Sequence, residues 1–164
     1  MSAISWNQNI IRYKKIEHER VEDAPFVGAL ISACDCHFNC QNCFNQELKR
    51  LPPIVSSRSK IISEVLSNPF NRGVIFAGLE WTLQLDECLT LASEAKNYGL
   101  QTMLYTGCDF DSEPVQTIVT GAPNSFDYIK CGTYQQEKAT VNHIEYGVIL
   151  ASSNQHIYKR GVDY

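Results

Sequence analysis

No run of apolar residues in this sequence is long enough to cross a membrane. The most apolar stretch, Phe26 to Cys34, falls far short of the ~20 residues that a spanning helix needs. The first twenty residues mix Trp6, Asn7, Arg12, Lys14, Lys15, Glu17 and His18 and hold no apolar core of the kind an export signal requires. A cytoplasmic chain with no membrane partner is therefore expected. Excess basic charge is missing too: 14 Lys and Arg stand against 18 Asp and Glu, a formal net charge of -4. A nucleic-acid partner is not expected, because its footprint is normally a basic patch. Internal repeats and low-complexity tracts are absent. With 164 residues, 44% hydrophobic and 20% charged, the chain has the composition of one folded globular domain. No Ser-His-Asp or Cys-His constellation stands out, so side-chain nucleophilic catalysis has no candidate.

What the chain does hold is an alternation of strand and helix patterns. Residues 1–25 are polar and charged and read as an N-terminal extension, or a short amphipathic element packed on the body. Phe26 to Ser32 is a near-continuous apolar run, the mark of a strand buried on both faces. Glu47 to Ser57, with Pro52-Pro53 and several serines, reads as a loop. Ser59 to Leu66 carries a helical apolar face with a cap at Ser57 or Ser59, and Asn68-Pro69 ends it. Gly73 to Gly78 is a second buried strand. Leu85 to Asn97 is a helix closed by Gly99. Leu100 to Tyr105, Ser125 to Cys131 and Ile144 to Ala151 read as further strands, with a short helix over Asp111 to Thr120. This is an α/β pattern of successive βαβ units with a mostly parallel sheet. Unusual residues gather after strand C-termini, the edge where parallel sheets bind ligands.

Four of the seven cysteines, Cys34, Cys36, Cys40 and Cys43, fall within ten residues directly after the first predicted strand. With no export signal, a disulfide framework is not expected. Cys36, Cys40 and Cys43 have the spacing C-x3-C-x2-C, and three thiolates on one tight loop suit a soft metal centre. On a cubane of four irons they would leave one iron free for a small chelating molecule. Structural zinc competes, with Cys34 as fourth thiolate and His37 as a spare ligand. Spacing alone leaves both open, with inert thiols as a third reading.

In context, Cys36-x3-Cys40-x2-Cys43 resembles the cluster motif of the radical S-adenosylmethionine (SAM) superfamily. Cys40-Gln41-Asn42-Cys43-Phe44-Asn45 on a short chain resembles the activating proteins of the anaerobic (class III) ribonucleoside-triphosphate reductase. Three further segments fall in the same order as in that family. Gly78-Leu79-Glu80-Trp81 stands where the family has Gly-Gly-Glu/Asp-Pro, and Leu104-Tyr105-Thr106-Gly107 is similar to its Tyr/Trp-Thr-Gly. Ala151-Ser152-Ser153-Asn154-Gln155 is similar to its Gly-Ser-Ser-Asn-Gln. Pyruvate formate-lyase activating enzymes are similar as well, but typically longer.

The resemblance implies a partial, open (βα) barrel of about six mostly parallel strands, with a radical SAM domain over residues 26–164. It implies a [4Fe-4S] cluster on Cys36, Cys40 and Cys43, and SAM bordered by Asn42, Cys43, Phe44, Gly78, Leu79, Glu80 and Thr106. Reductive cleavage of SAM would yield methionine and a 5′-deoxyadenosyl radical, which takes a hydrogen atom from a backbone glycine of the reductase. A flavodoxin-like protein would donate the electron. Activation of another glycyl radical enzyme, of the pyruvate formate-lyase type, is the alternative activity. A small zinc-binding interaction module and a redox-sensing iron–sulfur protein are the rivals from other classes. The chain departs from the family where Leu79 replaces the second Gly and Trp81 the Pro. Leu keeps its carbonyl but loses access to positive φ and adds bulk, so Gly at 79 is expected to keep or tighten SAM binding. Cys34, Cys88, Cys108 and Cys131 are expected as bystander thiols, and Lys14-Lys15 as ordinary surface charge.

Overall fold

A computed structural model describes residues 9–38, 40 and 45–164. Its strands are β1 (Ile10–Tyr13), β2 (Lys15–Arg20), β3 (Gly28–Ser32), β4 (Ile54–Ser57), β5 (Gly73–Ala77), β6 (Gln101–Tyr105), β7 (Tyr128–Cys131), β8 (Ile144–Glu145), β9 (Val148–Ile149) and β10 (His156–Lys159). The helices are α1 (Arg58–Ser67), α2 (Leu85–Asn97) and α3 (Glu113–Gly121). Six strands form one sheet in the order β10-β7-β6-β5-β3-β2. The inner four, β7-β6-β5-β3, run parallel, and β2 and β10 close the edges antiparallel. This is the α/β class expected, six mostly parallel strands with a helix returning after each of β3, β5 and β6.

Both faces of the inner strands are covered, which is why their sequences read as apolar runs rather than as alternations. Ala29, Ile31, Val74, Phe76, Leu104 and Ile129 meet the helices through Ile62, Val65, Leu91, Ala92, Val115 and Ile118. On the opposite face Leu30, Ile75, Ala77 and Met103 meet Phe26, Val148, Leu150 and Ile157. The caps follow the local chemistry. Ser57 Oγ accepts the Lys60 amide at 3.2 Å at the start of α1, and Gly99, at φ +74, follows the end of α2. No helix among the described residues is long and apolar enough to cross a membrane.

Three expectations need correction. Residues 15–20, expected within an N-terminal extension, form β2 and pair with β3. Residues 10–13 form β1 and pair with β4, inside the segment expected to be a loop, which also holds a 3-10 turn at Glu47–Arg50. Ile144 to Ala151 is not one strand but the β8–β9 hairpin, and the last strand of the sheet is β10. Each of these elements is short or exposed on one side, so none shows the apolar run that marks the inner strands.

Candidate functional site

The carboxyl ends of the parallel strands open onto a cavity of about 430 Å³, within the ~300–1,000 Å³ usual for small-molecule sites. Ser32 of β3, Ala77 of β5, Tyr105 of β6 and Lys130 of β7 form its floor. Its rim comes from Glu17, Arg20 and Asp23 on one side and from Ile149, Ala151 and Gln155 on the other.

The cysteine loop leaves β3 directly over this cavity. Cys36 and Cys40 line it, whereas Cys34 is not among the lining residues. The backbone nitrogen of Cys34 donates to Gln84 Oε1 at 2.9 Å, and Gln84 Nε2 donates to the Arg12 carbonyl at 2.8 Å. This buried glutamine fixes the first residue of the loop against β1. Burial pushes the Cys34 and Cys36 thiols up, and the Glu80 carboxylate adds to the effect at Cys36. His37 is exposed, its ring centroid 4.2 Å from that of Phe38. The six described cysteines are all free thiols. Asn42, Cys43 and Phe44 lie outside the described residues.

Behind the thiol loop stands the turn after β5. Gly78 has φ +81, and a Cβ there would lie 2.4 Å from Ser32 Oγ, so only glycine fits this position. Leu79 has no such constraint: its φ is not positive, and its side chain is buried in the helix-side core. Leu79 thus belongs both to the core and to the cavity lining. Trp81 is fully buried, donates Nε1–H to the Ile31 carbonyl at 3.0 Å, and meets Phe76 edge-on at 5.3 Å. It anchors the turn where the family pattern has proline.

Glu80 joins this turn to the one after β6. Its backbone N–H donates to the Asp35 carbonyl at 2.7 Å. Its Oε2 accepts from Thr82 N at 3.2 Å, Thr82 Oγ1 at 2.6 Å and Thr106 Oγ1 at 2.8 Å, while Oε1 accepts from Gly107 N at 2.8 Å. An ionised carboxylate has about four acceptor positions, so Oε2 is saturated and Oε1 keeps one to spare. Thr106 is buried and also accepts the Cys108 amide at 3.0 Å. The Phe38 ring lies against Gly107, where a Cβ would come within 2.7 Å of it. The thiol loop, the Gly78–Trp81 turn and the Thr106-Gly107 turn are thus locked together.

Three features of this region were not foreseen. Ser32 Oγ is fully buried at the cavity wall, with no hydrogen-bond partner among the described residues. Burial lowers the Lys130 pKa to about 8; its Nζ stands 4.2 Å from the centre of the Tyr105 ring and has no ion pair among the described residues. Lys14, expected as surface charge, is only 9% exposed, and its ammonium donates to the Lys49 and Leu51 carbonyls. That contact holds the 3-10 turn that follows the thiol loop. The one available signal for Ser32 and Lys130 was a polar residue at or near the C-terminal end of an apolar strand. Ser152 to Gln155 forms a clasp: Gln155 Oε1 accepts the Ala151 and Ser152 amides, and its Nε2 donates to the Gly132 carbonyl at 3.2 Å. Asn154 Nδ2 donates to the Thr133 carbonyl at 2.8 Å. Cys88 is a core thiol as expected, and Cys131 is buried.

Neighbouring soft thiol donors on a strand-end loop, over a cavity with unpaired polar groups, define an α/β protein built to hold a sulfur-ligated metal centre. Residues 27–158 match the family model described as "4Fe-4S single cluster domain", and the chain belongs to that family. Among curated proteins no relative matches. The family favours an iron–sulfur cluster over structural zinc.

Proposed function

We propose that the protein is an activating enzyme: it cleaves SAM reductively with a [4Fe-4S] cluster and leaves a glycyl radical on an anaerobic ribonucleoside-triphosphate reductase, with a flavodoxin-like electron donor. One juxtaposition carries this reading. Cys36 and Cys40, Gly78 to Glu80 and Thr106-Gly107 border a single cavity, and Glu80 ties their three loops together, through its backbone N–H to the Asp35 carbonyl and its carboxylate to Thr106 and Gly107. A cluster held by three thiolates supplies one electron and one iron position for a chelating ligand.

The chain's own residues take the remaining tasks. Cys36, Cys40 and Cys43 hold the cluster. Asn42, Phe44, Gly78, Leu79, Glu80 and Thr106 border the SAM molecule, with the spare acceptor position of Glu80 Oε1 suited to an ammonium. The Lys130 ammonium and the unpartnered Ser32 hydroxyl are the groups that a carboxylate or ribose would satisfy. Pairing with the ligand removes the cost of leaving them buried and unpaired. Leu30, Ala77 and Phe38 give the cavity apolar walls that keep water from a reactive radical.

The test is anaerobic. The reconstituted protein should be brown, with about four irons and four sulfides per chain, and should form 5′-deoxyadenosine from SAM under a strong reductant. A colourless zinc protein would overturn the reading. A brown protein that leaves SAM intact would reduce it to a redox iron–sulfur protein.

A further inference from the structure

Away from the cavity, three metal-type donors converge between the β8–β9 hairpin and β10. One donor atom from each of His143, Glu145 and His156 lies within 4.8 Å of the other two. Glu145 Oε2 is 3.3 Å from His143 Nε2 and 2.9 Å from His156 Nδ1. Two ligands on one tetrahedral ion with bonds of about 2.0–2.1 Å stand roughly 3.3 Å apart; the His143–Glu145 pair has that spacing, the His156–Glu145 pair is closer, and the three atoms need only small side-chain shifts to surround an ion.

From this convergence we infer a second metal site: His143, Glu145 and His156 bind one divalent first-row transition ion of the zinc type, independently of the cluster. Two imidazoles and one carboxylate are a donor set that such ions favour over magnesium or calcium. The carboxylate is oriented from behind. Its Oε1 accepts the Ile157 amide at 2.7 Å, which leaves Oε2 facing the two imidazoles. The Gln155 carbonyl, 2.7 Å from His143 Nε2, is a further oxygen at the same point. On binding, the His143 ring takes its Nδ1–H tautomer, so that the Nε2 lone pair and the Gln155 carbonyl oxygen both face the ion instead of sharing a hydrogen bond. His156 is exposed, so solvent can reach the site and fill a remaining position.

The place of the site in the fold gives it a purpose. The hairpin turns through Tyr146 and Gly147, both at positive φ, as a two-residue hairpin turn requires. Its Val148, together with Leu150 just beyond, covers the face of the sheet that carries Leu30, Ile75 and Met103. Residues from the hairpin side (His143, Glu145) and the sheet side (His156) would be joined by one ion, which fastens this cover to β10.

The experiment uses the cluster-loaded protein, so that the cysteines are occupied, and zinc as the probe. One zinc per chain should survive desalting beyond the iron, and zinc should raise the melting temperature. His143→Gln and His156→Gln should each weaken zinc binding by about tenfold or more, since even losing an outer-shell partner costs that much. Iron content and cluster absorbance should stay unchanged. Where a variant is less stable, the zinc-dependent rise in melting temperature remains the readout: present in the parent, lost in the variant. Cobalt in place of zinc should give a visible ligand-field spectrum without thiolate charge transfer. Equal zinc retention by parent and variants, thiolate charge transfer to cobalt, or no zinc retained would each overturn the inference.

Discussion

The carboxylate of Glu80 and the backbone nitrogen of Gly107 lie 2.8 Å apart, a bond between loops that follow adjacent strands, β5 and β6. Thr106 adds a second bond between the same loops, and Thr82 holds the carboxylate in place. All four hydrogen bonds on this carboxylate are donated to it, two of them from backbone amides that cannot reverse roles. Glu80→Gln presents an amide NH₂ to some of those donors and should cost about 1–3 kcal/mol. Thermal or denaturant unfolding checks this. A melting temperature unchanged by Glu80→Gln would show that the carboxylate does not lock the loops.

Leu79→Gly carries a stability cost that the family pattern does not display. The side chain is 6% exposed and packed in the helix-side core, and the backbone has no positive φ for glycine to relieve. Large-to-small core changes cost about 2–5 kcal/mol, and the freedom of glycine in the unfolded chain adds to that. The variant should unfold earlier in denaturant. A variant as stable as the parent would show that the Leu79 side chain contributes little to that core.

Among the clustered cysteines, Cys34 should behave differently from the others. Cys36→Ala, Cys40→Ala and Cys43→Ala should each abolish stable cluster loading, with iron content as the measurement. Cys34→Ala should keep the cluster, because Cys34 does not line the cavity and its backbone, not its sulfur, is what Gln84 holds. A fourth thiolate would also occupy the iron that a chelating ligand needs. Equal iron loss in all four variants would indicate a closed four-thiolate site, as in structural zinc.

Lys130 offers a test in which stability and binding move in opposite directions. Its pKa is lowered from 10.5 to about 8 by burial, so between those values the unfolded chain binds more protons than the folded one. Stability from this group therefore rises with pH from about 8 towards 10.5 and is lowest when the buried ammonium is fully charged. Lys130→Met should melt higher than the parent at neutral pH, and the gap should close as pH rises through that window. The same variant should bind SAM about tenfold or more weakly, the scale of one charged hydrogen bond. A variant that is more stable yet binds SAM as well as the parent would remove Lys130 from the ligand site.

The sequence displayed α2 to the residue and the inner strands to within three residues at their starts, because burial on both faces and a single apolar helix stripe leave strong periodic signals. It did not display β1, β2, β4 or β10. Lys15 to Arg20 reads Lys-Ile-Glu-His-Glu-Arg, an edge strand whose charges guard an exposed flank, and those charges are what made it look like an extension. At the candidate site, Cys36, Cys40, Gly78, Glu80 and Thr106 were visible from spacing and resemblance. Ser32 and Lys130 were not, since a lone polar residue near a strand end acquires meaning only when neighbouring strands set it on the same wall. Lys14 was misread for a similar reason: nothing local announces that its ammonium will find two distant carbonyls.

The cavity is assembled from two separable parts of the chain. Its thiols and locked turns belong to the parallel βα core, whereas its rim comes from β2 and the turn after it, and from the segment after β8. Glu17, Arg20, Asp23 and Ile149 lie outside the thiol loop, the Glu80 turn and the parallel strands, so substitutions there can reshape the mouth and leave those segments unchanged in sequence. The residues at the mouth can therefore drift independently of the thiol loop, so that the same sulfur-ligated centre can sit behind differently shaped collars.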